Sequence, residues 1–124
     1  MESSLKQKAL FIIVLFCLLN QTGCANSLCS NTELKRQSSP DGKLEAVSFT
    51  RDCGATTKKS KQLSIVKYGE RVGNSKGNTY ISYDSFDLSW NNNRELIITS
   101  TSDDIFKQAK RVKGVTISYL TPKE

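Results

Sequence analysis

The sequence predicts an all-β domain, a small antiparallel sheet or sandwich of about six strands, behind an N-terminal addressing segment. Three observations carry that prediction. Apolar residues after position 40 fall in short runs of five to eight, rich in β-branched and aromatic types. Several runs alternate apolar and polar residues, the period of a half-buried strand. Turn-forming Gly, Pro, Asn and Asp separate them.

The first segment has a different character. Lys6 and Lys8 precede an unbroken apolar run from Ala9 to Leu19, which stops at Asn20 and Gln21. Eleven residues rising ~1.5 Å each reach about 17 Å as a helix. Roughly 30 Å of hydrocarbon needs about 20 residues. The pattern is that of a signal peptide over residues 1–23; an uncleaved signal anchor and a buried core helix are its rivals. Thr22-Gly23-Cys24 resembles the end of a bacterial lipobox, whose cysteine becomes a diacylated N-terminus. Gln21 departs from it, because an aliphatic residue is usual there. Cleavage after Gly23-Cys24-Ala25 instead leaves a soluble periplasmic or secreted protein, and both readings are open. The lipobox reading makes Cys24 the lipidation site and the membrane a partner through its acyl chains. Ala25 after the cysteine resembles the outer-membrane sorting pattern of Gram-negative lipoproteins.

Removing 23 residues from 124 leaves 101, and takes away two lysines and one glutamate, so the net charge of +6 becomes +5. That is one domain. Residues 24–38 read as an N-terminal tether and 39–121 as the β domain. Cys17 leaves with the signal. Cys29 and Cys53 then form an even pair in an exported chain, where disulfides persist. A bridge there closes a loop of about 25 residues. The competing reading is a reactive Cys53 thiol beside Arg51.

Within the domain, Ser39-Pro40-Asp41-Gly42 is a strong turn, with φ preset by Pro and a permissive Gly. Strands are expected over 43–50, 62–68, 79–83, 86–90, 95–101 and 115–120. Leu63 and Ile65 should share one face, with Val66 and Tyr68 on the other. Phe86, Leu88 and Trp90 should face inward, with Asp87 and Ser89 outward. Asn91-Asn92-Asn93-Arg94 reads as a hairpin through residues that tolerate positive φ. Ser102 to Lys113 has a helical reading. Ser102 serves as N-cap, Asp103 and Asp104 suit the first turn, Ile105, Ala109 and Val112 have helical spacing, and Gly114 follows the last turn. A charged crossover loop is the alternative.

Function is bounded mostly by exclusion. Zero histidine removes Ser-His-Asp and Cys-His nucleophiles and most zinc and haem sites. No phosphate-cradling Gly-rich loop, zinc spacing or EF-hand occurs, so neither metal nor cofactor is expected. Asp84 with Asp87, and Asp103 with Asp104, read as solvated turn carboxylates, and no serine has a base partner. The domain is therefore expected not to be an enzyme; a histidine-free envelope enzyme is the alternative. Basic residues cluster at Lys58, Lys59 and Lys61 and again at Lys107, Lys110, Arg111 and Lys113. Such clusters attract anionic polymers, lipid headgroups or an acidic protein face, or simply solubilise the surface. Nucleic acid is not expected, since no aromatics interleave the basic residues.

Ser39 to Phe49 looks like the entry turn and strand of a β-propeller blade, but a hundred residues cannot close a propeller. The longer stretch SPDGKLEAVSFTRDCGATT, from Ser39 to Thr57, resembles the signature of a family of small bacterial exported proteins and lipoproteins of unknown function. The later DLSW and GVTISY runs are similar as well. The resemblance implies a compact β domain in the cell envelope and no established activity. It carries no catalytic assignment. With the exclusions above, a non-enzymatic binding or structural role is expected, as an inhibitor, immunity or accessory protein. Arg51, Asp52, Thr56, Thr57, Lys58 and Lys59 are the candidate binding surface, pinned by Cys53, for an envelope protein or anionic polymer. The alternative is a disulfide-locked turn whose hydroxyls satisfy backbone groups.

Overall fold

Nine strands in two sheets make up the domain in a computed structural model that describes residues 7–8 and 28–122. The expected signal peptide, its cleavage site and Cys24 lie outside the described residues. The strands are β1 (Ser30–Ser38), β2 (Leu44–Asp52), β3 (Ser60–Lys67), β4 (Tyr80–Ser82), β5 (Asp87–Asn92), β6 (Glu95–Thr99), β7 (Ile105–Gln108), β8 (Arg111–Val112) and β9 (Val115–Leu120). One sheet has the order β1-β2-β3-β4-β7, antiparallel throughout. The other has the order β5-β6-β9-β8, in which β6 and β9 run parallel. Among the described residues no helix is long and apolar enough to cross a membrane.

The all-β expectation holds, and six of the strands fall on the six predicted runs. Three strands are additional. The first, β1, occupies residues assigned to the tether. Its sequence, SNTELKRQS, has little apolar content to mark it, because an edge strand exposed over most of its length needs none. It is held by its register with β2, from Ser30 opposite Asp52 to Ser38 opposite Glu45. A bulge between Glu33 and Lys35 leaves Leu34 out of register and 56% exposed.

The other two additional strands replace the short C-terminal helix. Ser102 does bond forward, but its Oγ accepts only the Asp104 N–H at 3.2 Å, a local turn rather than a helix cap. Ile105 and Lys107 then pair with Ser82 and Ile81. Lys113 (φ 49°) and Gly114 (φ 77°) both have positive φ between paired Val112 and Val115. That is a two-residue type I′ hairpin, in which Gly114 is a turn residue and not a helix stop. Lys113 is the only non-glycine with positive φ among the described residues. The Asn91–Asn93 hairpin thus forms without left-handed asparagines, stabilised instead by the Asn92 Oδ1 accepting the Arg94 N–H at 2.8 Å.

The Ser39–Gly42 turn is as expected. Gly42 N–H donates to Ser39 O at 2.8 Å, with Gly42 at φ 72°. Asp41 accepts from Ser39 Oγ (2.7 Å) and Lys43 N–H (3.1 Å), and these bonds hold its carboxyl below the ordinary range. Its own N–H donates to Asn93 Oδ1 at 2.7 Å, which joins the β1–β2 turn to the β5–β6 turn at one end of the domain.

The core lies between the sheets. Ala46, Leu63, Ile65 and Tyr80 from the first meet Leu96, Ile98, Val115 and Ile117 from the second. Leu88 and Trp90 pack against this cluster from β5, with Phe86 just before it, while Asp87 and Ser89 are exposed, as alternation requires. Trp90 Nε1–H donates to Gln37 O at 2.9 Å, tying β5 to β1 across the two sheets. Every buried side-chain nitrogen and oxygen among the described residues is hydrogen-bonded.

Tyr119 is half-buried, with its hydroxyl donating to Ala109 O. Desolvation, and secondarily neighbouring Tyr80, push its hydroxyl up to about 12. A raised folded-state value stabilises the fold fully below the unfolded-state value near 10 and loses that contribution as pH rises towards 12. Stability should therefore fall between pH 10 and 12, and Tyr119→Phe should flatten that decline in urea titrations taken at each pH.

Candidate functional site

The outer face of the five-stranded sheet, turned away from the core, carries the polar architecture. Paired residues in adjacent strands share a face, so Arg51, Phe49, Val47 and Glu45 of β2 lie with Asn31, Glu33 and Arg36 of β1 and with Gln62 and Ser64 of β3. The chain from Gly69 to Thr79 folds back over this face as a strap. Gly77 seats its far end: its N–H donates to Gln62 Oε1 at 2.7 Å, and a Cβ there would lie 2.8 Å from Leu63 O, so only glycine fits. The near end is closed by Arg36, bonded to Glu33, Glu45 (3.1 Å) and Glu70 O (3.0 Å), with Gly69 N–H on Glu45 at 2.7 Å. Between strap and sheet is a cleft of about 620 Å³. Val47 and Phe49 at its base are 0% and 1% exposed, so its open walls are the Arg36–Glu33–Glu45 cluster together with Tyr68 and Arg71 on the strap side. This cleft is part of how the strap is held.

The structure separates the six predicted surface residues into three groups. Arg51 Nη1 donates to Asn31 Oδ1 (3.0 Å) and Asn74 O (2.6 Å), so its guanidinium fastens the middle of the strap. Asp52 and Thr57 shape the turn after β2. Asp52 Oδ1 accepts Gly54 N–H at 3.0 Å, while Thr57 donates to Gly54 O through both N–H and Oγ at 3.1 Å. Thr56 is exposed on that turn, and Lys59 lies 3.8 Å from Asp52 in a solvated pair of little energetic weight. The Cys29–Cys53 disulfide forms as expected and closes the hairpin beside the Ser30–Asp52 pair. That settles the Cys53 alternatives in favour of the bridge. The disulfide-locked turn describes Asp52 and Thr57.

Lys58 is the member that leaves the turn. Its Nζ sits 4.6 Å from the centroid of the Tyr83 ring, a cation–π contact. Tyr83 in turn meets Phe106 edge-to-face at 4.7 Å. Between them lies a groove of about 220 Å³ lined by Arg51, Cys53, Lys58, Lys76, Tyr83 and Phe106, among others. None of its lining residues is a carboxylate. Phe106 is 60% exposed. It falls at the irregularity where Ile81 pairs with Lys107 and Ser82 with Ile105, the place where a bulge re-aims a side chain.

Tyr83 ends the strand expected over 79–83, Phe106 falls within the stretch with a helical reading, and Lys76 lies between expected strands with no pattern that marks it. The second basic cluster divides: Lys107 lies opposite Ile81 in the five-stranded sheet, whereas Arg111 belongs to the other. Asp84 accepts from Ser102 Oγ at 2.8 Å, and Asp87, Asp103 and Asp104 are exposed. No group of three His, Cys, Asp or Glu residues able to hold a metal occurs among the described residues. Comparison with protein-family models, curated proteins and solved structures finds no match.

Proposed function

We propose that this is a lipid-anchored, non-enzymatic binding protein of the bacterial cell envelope, whose groove between Lys58, Lys76, Tyr83 and Phe106 takes an anionic envelope component. The observation that carries the reading is the lining itself: Lys58 and Lys76, with Arg51 fastened to the strap, share a groove with half-buried Tyr83 and exposed Phe106, and no carboxylate lines it. Ammonium groups attract phosphate, sulfate or carboxylate, and aromatic faces cover the apolar part of the same ligand. Export is supported by the signal-like first segment and by the disulfide, which persists in oxidising compartments. Attachment through Cys24 rests on its lipobox-like context.

The test is retention on an immobilised anionic polymer across a salt gradient. Lys58→Glu with Lys76→Glu should elute at distinctly lower salt than wild type. Lys110→Glu with Lys113→Glu, away from the groove, should elute close to wild type after allowance for equal net charge. Equal loss in both pairs would mean that net charge alone is being read, and would remove the groove from the proposal. Attachment is tested separately, by incorporation of a palmitate analogue that Cys24→Ser should abolish.

A further inference from the structure

We infer that the groove is a membrane-proximal site for the anionic headgroup of a phospholipid. This rests on the lipid-anchored reading above and narrows its ligand. Cys53 lines the groove and is bridged to Cys29, with their Cα atoms 3.9 Å apart. Only Ala25 to Leu28 separate Cys29 from Cys24 in the chain. A fully extended chain advances at most ~3.3–3.6 Å per residue, so five steps span no more than about 18 Å. An acylated Cys24 therefore keeps this end of the domain at the bilayer surface, and the anion nearest the groove is a lipid phosphate.

The side chains at this end suit that surface. Lys58 and Lys76 present compact cations suited to phosphate, on flexible stems. Phe106, 60% exposed, and Leu28, 72% exposed, are apolar groups that an interface would cover. The neighbouring carboxylates lie off the groove. Asp52 faces Lys59, Asp84 is held by Ser102, and Asp103 and Asp104 sit in the turn entering β7. Attraction is thus one-sided, and the domain should lean with the outer face of its five-stranded sheet towards the membrane. The opposite end, where Asp41 meets Asn93, points away.

The experiment places an indole in the groove of the processed protein by Phe106→Trp in a Trp90→Phe background. Vesicles are phosphatidylcholine alone or with one third phosphatidylglycerol, with brominated acyl chains as quencher. Quenching with the anionic vesicles, reversed by 1 M salt, is the expected result. A lysine near an anionic surface contributes about a fivefold factor in partitioning, so in Cys24→Ser protein, which lacks the acyl chains, Lys58→Gln with Lys76→Gln should weaken partitioning to the anionic vesicles about twenty-five-fold. Acylated protein that is bound to vesicles yet shows no quenching overturns the inference. So does quenching of equal extent with neutral and anionic vesicles. Retention on the anionic polymer by a protein that ignores these vesicles also overturns it, while leaving the wider reading in place. Quenching that persists in Cys24→Ser protein supports the headgroup site even where palmitate labelling fails.

Discussion

Replacing Tyr80 by alanine should cost about 4 kcal/mol, the largest single-residue effect expected in the domain. Tyr80 is fully buried in β4, with Phe86 edge-on at 4.8 Å and Tyr119 at 6.0 Å, and its hydroxyl donates to Ser100 Oγ at 3.0 Å. A short three-residue strand cannot move to refill the volume, because Leu63 and Gln108 hold its flanks. A domain of this size has roughly 5–15 kcal/mol in total, so the variant should approach the unfolding threshold. Tyr80→Phe keeps the ring and removes one bond, whose other partner still accepts the Ser102 N–H. That variant should lose only about 1 kcal/mol. Urea midpoints with unchanged slopes measure both. Equal costs for Ala and Phe would mean that the hydroxyl, and not ring packing, anchors β4.

Breaking the Cys29–Cys53 bridge should cost about 3 kcal/mol, because a free loop of about 25 residues regains its entropy in the unfolded chain. For a domain of this size that is a fall in melting midpoint on the order of 15 °C. The paired Cys29→Ser and Cys53→Ser variant should keep its β-sheet circular dichroism, since β1 and β2 are joined at the other end by the Ser39–Gly42 turn and along their whole register. Its second effect is local. The turn that carries Lys58 is fixed at Cys53, so retention on the anionic polymer should weaken more than a wild type brought to the same stability by urea. Unaltered retention together with the lower midpoint would show that the groove does not depend on the bridge.

What was legible in the sequence follows from which forces leave local traces. Strands β5, β6 and β9 bury chiefly one face, whereas β2 and β3 are buried between the second sheet and the strap; alternation or apolar runs mark all five. Strand β1 buries almost nothing and is held by backbone pairing with a partner found only through the fold, so its residues look like a linker. Ile105, Ala109 and Val112 have helical spacing, yet pairing with β4 and the Lys113-Gly114 turn prevail over it. The disulfide was legible by counting cysteines. The groove was half legible: Lys58 lies in a basic run beside Cys53, but Lys76 and Phe106 reach it from 18 and 48 residues further along.

The last strand in the chain occupies an interior place, between β6 and β8. Its parallel pairing with β6 spans about twenty residues of sequence, and Leu96 and Ile98 lie in the core it completes. Until Val115–Leu120 have been made, β6 has an open flank and the inter-sheet core lacks two of its eight residues. A nascent chain consequently has no finished second sheet to lock it on the ribosome. Completion of the inter-sheet core thus waits on a strand about twenty residues beyond β6, and folding becomes a collective event rather than a progressive one.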